Sequence, residues 1–459
     1  MITPTRRHFI KTATTGIVAA GWSLANQPVL AQIPGERPEP VNSVKVINPR
    51  ARVPLSFIID DSTCLVNLAH FAIPQFAEVF PDQYKQPWKS LPREIPDAFV
   101  RKFADWCRDA GVKGKFSVVP YPACVGWLDR DLPGWSKREL LDSLHLVRTE
   151  LPSHWDFHPE MVSHTWVIDT KTGRSYPDRT ENFMENWGWS AGKSVDQLAD
   201  YLAYALRILK NVDIPCEGIT TPGGFGSRAR PELAQATLEA CRDVFQTEIP
   251  HYFRDLFTDE TSVAPRVEYA SGLNGPDPKC VVSIIGCTGD WFGGWDGLTP
   301  GSVDLLITRD LEGGRMPEVI RRGEPAIMVC HWPGIYFNGL EIGFNILKEA
   351  VKRLHEAYDN LVWMKLSEIA RYWAAKELTR ITRNGNEIHF QAPYACPEFT
   401  VAVTISSPQV PQLHIQKQPV ELKEASHALR LTRSTWTRRE NEVLVCFDLP
   451  KGESTLTLV

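Results

Sequence analysis

One stretch of the sequence constrains the fold more than any other, and it is VPLSFIIDDSTC at residues 53 to 64. The run Leu55 to Ile59 is short and rich in β-branched and aromatic residues, which predicts a buried strand. It ends on Asp60 and Asp61. In α/β folds the carboxyl ends of strands face the ligand crevice, so one carboxylate is expected to hold a metal while its neighbour handles a proton. An Asx turn that merely closes the strand is the plainer interpretation.

Strand and helix patterns alternate after this stretch. Apolar positions at helical spacing predict a helix over 96–110 that ends at Gly111. Ser136 with Glu139 forms a capping box for a second helix, and Ser194 caps a third that runs to Leu209. About seven strand–helix units between residues 53 and 376 predict a distorted (β/α) barrel as the catalytic-type domain, residues 51–378.

The last part of the chain has a different pattern. Residues 379–459 contain short alternating runs separated by turn residues and no helical periodicity. This pattern predicts a small C-terminal β-sandwich.

The N-terminus has the features of a targeting segment. Thr5 to Lys11 includes Arg6 and Arg7, and an apolar stretch and the small-residue site Val29-Leu30-Ala31 follow. This resembles a bacterial twin-arginine signal over residues 1–31, which implies the twin-arginine export machinery as a partner and a periplasmic or extracellular location. The mature chain of 428 residues (459 − 31) would then begin with an extended lead-in, residues 32–50, that contains four prolines.

The composition restricts the classes of partner that the chain is expected to bind. The formal charge of −5 becomes −8 when the three cationic residues of the signal, Arg6, Arg7 and Lys11, are removed. An acidic chain disfavours nucleic acid and anionic membrane surfaces, and no segment of the mature chain has the pattern of an integral membrane helix. The ten cysteines form no CxxC pair, so we expect mainly buried small apolar residues, with one or two disulfides left open.

Three histidines, His154, His158 and His164, fall within eleven residues. Pro159 pushes His158 towards extended geometry and so argues against a helix that would present His154 and His158 together. We therefore expect His158 and His164 at a strand end and its following loop, on the rim that also carries the two aspartates.

With these residues the sequence resembles the polysaccharide deacetylase family (NodB-like, carbohydrate esterase family 4). The resemblance covers residues 53 to 376 and is carried, in order, by Asp60–Asp61, Glu160–Trp166, Thr221–Gly226 and Ile327–His331. It implies a distorted (β/α) barrel with a divalent metal, commonly zinc. It also implies Asp60 as general base, Asp61 and His164 as metal ligands, and His331 as general acid.

The third metal ligand is the main departure from that family's pattern. The family has a second histidine four residues after the first, where this sequence has Ile168 followed by Asp169. We predict His158 as the third ligand, because it lies an even number of residues from His164 and imidazole is a preferred zinc ligand. Asp169 is then expected to orient a metal ligand without binding the metal itself.

Further candidates lie in two glycine-containing loops. Gly223 and Gly224 would let a backbone N–H approach an oxyanion, or form only a tight turn. Arg228 is expected to supply the charge of the arginine that the family places before this turn. In the loop from Gly289, Asp290 and Trp291 are candidates for contacting substrate, with the aromatic residues as a sugar platform.

Together these features predict a secreted metal-dependent hydrolase that removes acyl groups from a carbohydrate, acting on amide or ester bonds. Two alternatives stay open. One is a glycoside hydrolase that uses paired carboxylates such as Asp60 or Asp61 with Asp290. The other is a carbohydrate-binding protein that has kept the barrel but not the activity.

Overall fold

The computed structural model describes residues 36–459, so the predicted signal at residues 1–31 lies outside the described residues. The barrel region begins with a strand from the lead-in and continues through eleven more. These strands are β1 (Val44–Val46), β2 (Val53–Asp60), β3 (Gly114–Ser117), β4 (Trp155–His158), β5 (Ile168–Asp169), β6 (Arg174–Ser175), β7 (Gly218–Thr220), β8 (His251–Leu256), β9 (Arg266–Ser271), β10 (Lys279–Gly286), β11 (Ala326–His331) and β12 (Leu361–Trp363).

Seven parallel strands close a ring, in the order β2, β3, β4, β7, β8, β10 and β11. β2 pairs with β3 on one side and with β11 on the other, where Asp60 lies opposite His331. Parallel bridges Phe157 to Cys216 and Glu160 to Thr220 join β4 to β7, and the Cys287 N–H donates to the Ile327 carbonyl between β10 and β11. The expected fold class, a distorted (β/α) barrel of about seven units with a β-sandwich, is confirmed.

β2 lies inside this barrel. All eight of its residues are buried, as expected for a parallel strand covered on both faces. Phe57 packs against Phe292 with ring centroids 5.1 Å apart, and Ile58 belongs to a second apolar cluster shared with the sandwich. This packing fixes the strand, and so fixes where Asp60 and Asp61 leave it.

Helices follow most of the barrel strands. They are α1 (Leu68–Val79), α2 (Asp97–Ala110), α3 (Lys137–Glu150), α4 (Val195–Asn211), α5 (Arg230–Phe245), α6 (Arg315–Arg321), α7 (Trp332–Tyr336), α8 (Ile342–Ala357) and α9 (Leu366–Leu378). The capping boxes predicted at Ser136 and Ser194 are formed. Gly111 ends α2 with φ 72°, the left-handed conformation that glycine adopts without strain.

The C-terminal region forms two five-stranded sheets. Its strands are β13 (Arg380–Asn384), β14 (Glu387–Ala392), β15 (Cys396–Thr404), β16 (Pro411–Ile415), β17 (Gln418–Val420), β18 (Lys423–Glu424), β19 (Thr435–Arg439), β20 (Glu442–Leu449) and β21 (Gly452–Leu458). The predicted lead-in is more structured than expected, because its β1 pairs with β15 and becomes an edge strand of the sandwich. The Tyr372 hydroxyl of α9 donates to the Ile47 carbonyl and accepts from the Thr400 N–H, which fastens the sandwich to the barrel.

The helices and the cysteines bear on the expectations about membrane spans and disulfides. Within residues 36–459 no helix combines the length and the apolar character needed to cross a membrane. All ten cysteines carry free thiols, and nine of them are buried. They therefore behave as small apolar residues of the core.

Candidate metal centre

Three potential metal ligands converge where β2 and β4 end. The side chains of Asp61, Glu160 and His164 each place one ligand atom within 4.8 Å of the others, and all three are buried. His164 Nε2 lies 2.7 Å from Asp61 Oδ1 and 3.3 Å from Glu160 Oε1. This is the one such grouping of three or more ligand residues among residues 36–459.

The backbone turns sharply at each of these positions. Asp61 has φ 58° and breaks β2 immediately after Asp60, and its N–H donates to Glu160 Oε2 at 2.8 Å. The loop after β4 has left-handed φ values at Met161 and His164. Glu160 and His164 therefore meet across a compact loop, and not along a helix face.

Charges in the cluster are strongly coupled. Burial alone would lower the pKa of His164, but Asp61 and Glu160 outweigh it and raise that pKa to about 10. Burial raises the pKa of Glu160, and His164 more than offsets this, so the net pKa is lowered. A cationic imidazole thus stands between two carboxylates.

The residues fit a divalent cation. Nε2 of His164 lies within 3.3 Å of one oxygen of each carboxylate, so the three potential ligand atoms converge. One imidazole nitrogen with two carboxylate oxygens is a donor set that suits zinc and other first-row divalent metals.

Asp60 lies beside this cluster and is held by a buried lysine. Lys115 Nζ donates to Asp60 Oδ1 at 2.6 Å, to Ser117 Oγ at 2.7 Å and to the Ile59 carbonyl at 3.0 Å. Burial raises the pKa of Asp60 to about 6 despite the opposing effect of Lys115. Asp60 can therefore gain or lose a proton near neutral pH.

His331 and Asp290 form a second pair at the barrel mouth. His331 Nδ1 lies 3.0 Å from Asp290 Oδ1, and the His331 side chain is 12% exposed. The positive field of His331 acts to lower the pKa of Asp60, which reflects their closeness on adjacent strands. The pair can orient the imidazole as the carboxylate does in a hydrolytic triad.

The prediction for the third metal ligand is corrected. His158 points into the barrel, where its Nε2 lies 2.9 Å from His251 Nε2 and its Nδ1 lies 3.2 Å from Thr220 Oγ1. Asp169 closes a surface turn by accepting from the Lys171 N–H. The alternation argument fails because the chain leaves the strand at Pro159, so Glu160 takes the position assigned to His158.

The rim residues are also placed differently from expectation. The Gly224 N–H already donates to the Asn186 carbonyl at 2.6 Å, so it is not available to an oxyanion. A side chain at Gly223 would meet the same carbonyl at 2.8 Å, which explains the glycine by close packing. Arg228 is exposed on the following turn. Trp291 is 8% exposed, so its ring is no open sugar platform.

Three residues important to the site were missed by sequence reasoning: Glu160, Lys115 and Glu185. Glu160 lies four residues before His164, whereas the family's pattern places the second ligand four residues after that histidine. Lys115 interrupts an otherwise apolar strand, which was a signal of a buried charge with a partner. Glu185 lies more than 20 residues from the loop that it contacts, and no local sequence pattern marks it.

Comparisons with known proteins leave the family unassigned. No protein-family model matches the chain, and a search of curated proteins finds no match. Similar solved structures include an alpha-L-fucosidase with 12% identity and a TM-score of 0.30, covering 90% of this chain and 97% of the other. Another is a glycoside hydrolase family 30 subfamily 8 xylanase from Clostridium acetobutylicum, with 9% identity, a TM-score of 0.28 and coverage of 91% and 99%.

The family expectation is therefore wrong. The similar solved structures named above are glycoside hydrolases and not polysaccharide deacetylases, and no protein-family model supports that membership. The activities in the names of these structures are nearer to the glycosidase alternative than to acyl removal. At TM-scores of 0.30 and below they assign no activity to this chain, so the function has to be argued from the site.

Proposed function

We propose that this protein is a hydrolase of carbohydrates that uses a divalent cation, zinc by ligand preference, held by Asp61, Glu160 and His164. The observation that carries the proposal is the convergence of these three buried ligand residues beside Asp60, at the carboxyl ends of the barrel strands. In barrel enzymes that end of the strands is where catalytic groups gather.

Proton transfer is assigned to the protein's own side chains. A cation at this site would supply Lewis acidity and lower the pKa of a water. Asp60 accepts the proton from the attacking water, because its pKa of about 6 leaves it ionised and basic near neutrality. Lys115 fixes the rotamer of Asp60 through its short ion pair.

His331 is the proton donor to the leaving group. Its Nδ1 lies 3.0 Å from Asp290 Oδ1, so this carboxylate orients the imidazole that would donate the proton. The base and the acid thus lie on neighbouring strands. Asp60, paired with Lys115, is the base, and His331, paired with Asp290, is the acid.

The first candidate bond is an acyl bond, an ester or amide on a sugar. Its carbonyl oxygen would gain negative charge during water attack, next to the cation site. Two half-buried aromatic rings support a sugar substrate, because Tyr84 packs 6.2 Å from Trp187. Such amphipathic rings suit contacts with carbohydrate.

The second candidate bond is glycosidic. The specific observation in its favour is the raised pKa of Asp60, because a carboxyl whose pKa is raised towards neutrality is typical of the acid in glycosidases. Asp290 at the same mouth would then serve as the second carboxylate. In this case the metal centre would orient the sugar and not activate water.

Product analysis separates these candidates. Purified protein, stripped with chelator and reloaded with Zn²⁺, is incubated with acylated sugars and with p-nitrophenyl glycosides. Free carboxylic acid without new reducing ends supports acyl hydrolysis, and new reducing ends without acid support glycoside hydrolysis.

Asp60→Asn should lose activity at least 100-fold, and Asp169→Asn, on the surface turn, is the matched control. Failure of wild type to hydrolyse either class, with metal bound, would refute the proposal.

We also propose export by the twin-arginine machinery. Replacing Arg6 and Arg7 together by lysine should retain the chain inside the cell, because the pathway reads the arginine pair. Fractionation of cells that express both forms tests this. Equal export of both forms would exclude the pathway.

A further inference from the structure

Glu185 is a fully buried carboxylate that accepts hydrogen bonds from four donors. Its Oε1 accepts from the Val162 N–H at 3.2 Å, and both oxygens accept from the Ser163 N–H at 3.1 Å. Oε2 also accepts from the His164 N–H, and the Tyr201 hydroxyl donates to Oε1. Glu185 is 0% exposed, so these donors replace the water that would otherwise solvate the carboxylate.

The segment that Glu185 holds is the one that carries the metal ligands. Three successive N–H groups of residues 162–164 point to one side and form an anion-binding concavity. Left-handed φ values at Met161 (52°) and His164 (66°) produce this shape, which side chains other than glycine adopt only with support. The Glu185 N–H also donates to the Thr165 carbonyl at 2.8 Å, so both its backbone and its side chain are tied to the loop.

We propose that Glu185 is the positioning residue of the metal centre: its carboxylate fills the concavity of residues 162–164 and thereby sets the angle at which His164 meets Glu160 and Asp61. This inference rests on the proposed function, because it assigns a role towards the cation of that site. Glu185 itself lies behind the loop and contacts no ligand atom.

The positioning role requires a carboxylate, and a neutral side chain of the same size and shape would not fulfil it. All four of its hydrogen-bond partners are donors, so both oxygens accept. Glu185→Gln keeps the volume but turns an NH₂ group towards N–H donors, which disrupts the loop without opening a cavity. Loss of a residue that orients a metal ligand typically weakens metal affinity roughly 10 to 100-fold.

The test compares metal affinity with stability in three variants. Glu185→Gln and Glu185→Ala remove the charged acceptor, and Tyr201→Phe removes one donor to it while leaving the three loop N–H bonds in place. Affinity for Zn²⁺ and Mn²⁺ is measured by competition with a chelating dye, and melting temperature is measured with chelator and with metal. Activity is not needed for either measurement.

We expect Glu185→Gln to fold and to bind Zn²⁺ roughly 10 to 100-fold more weakly, with a correspondingly smaller metal-induced rise in melting temperature. Tyr201→Phe should lower the metal-free melting temperature yet keep Zn²⁺ affinity within about threefold of wild type. Unchanged affinity in Glu185→Gln would overturn the positioning role alone. Absence of metal binding in wild type would instead overturn the proposed function and this inference with it. If Glu185→Ala fails to fold, the Gln variant still decides.

Discussion

The buried ion pair between Lys115 and Asp60 gives a quantitative prediction for Lys115→Met. Methionine has a similar length but no charge, so Asp60 would keep a buried carboxylate without its partner. The Lys115 ammonium donates one hydrogen bond to a carboxylate and two to neutral oxygens. At about 1.5–3 kcal/mol for the first and about 1 kcal/mol for each of the others, the loss is about 4 kcal/mol. This agrees with the roughly 3–5 kcal/mol found when one partner of a buried pair is removed.

The assay is urea unfolding at pH 8 with chelator present, so that bound metal does not contribute. A double-mutant cycle with Asp60→Asn isolates the interaction. The double variant has no buried charge left in the pair, so we expect it to be at least about 2 kcal/mol more stable than the sum of the two single losses predicts. A Lys115→Met loss below about 1 kcal/mol, or additive losses in the double variant, would refute the assignment of a coupled pair.

Two further predictions concern the second acid–base pair and a distant carboxyl. Asp290→Asn should lower kcat roughly 10 to 100-fold by releasing His331, with Zn²⁺ content unchanged; loss of metal together with activity would contradict a purely orienting role. Glu268 is 6% exposed, and burial raises its pKa to about 7, so the folded state disfavours its ionised form and loses stability as pH rises from about 4.5 to 7. Glu268→Gln should therefore be more stable than wild type by about 2–3 kcal/mol at pH 8 and equal to it at pH 4; thermal melts at both pH values test this, and an equal gain at pH 4 would contradict it.

Local patterns were sufficient to predict much of the barrel. The apolar run that ends at Asp60 forms β2 as expected, because a parallel strand covered on both faces leaves a continuous hydrophobic signature. The caps at Ser136 and Gly111 were readable because capping depends on neighbouring residues only. Asp60 and His331 lie at strand ends as expected, and His164 lies in the loop that follows β4.

The rest of the site depends on contacts that local patterns do not contain. Glu160 joins the cluster through left-handed residues that a strand-alternation argument cannot anticipate. The pairing of His158 with His251 spans 93 residues and uses up the imidazole that was expected to bind metal. Glu185 acts through three backbone N–H groups, which carry no side-chain signature at all.

The central claim is that Asp61, Glu160 and His164 hold a divalent cation, and metal content tests it most directly. Wild type, Glu160→Gln and His158→Asn are dialysed against Zn²⁺, washed free of excess and analysed by elemental mass spectrometry. We predict about one zinc per chain in wild type and in His158→Asn, and strong loss in Glu160→Gln, because removing one of three ligands weakens a tight site severely. No zinc in wild type, or retention in Glu160→Gln with loss in His158→Asn, would contradict the account.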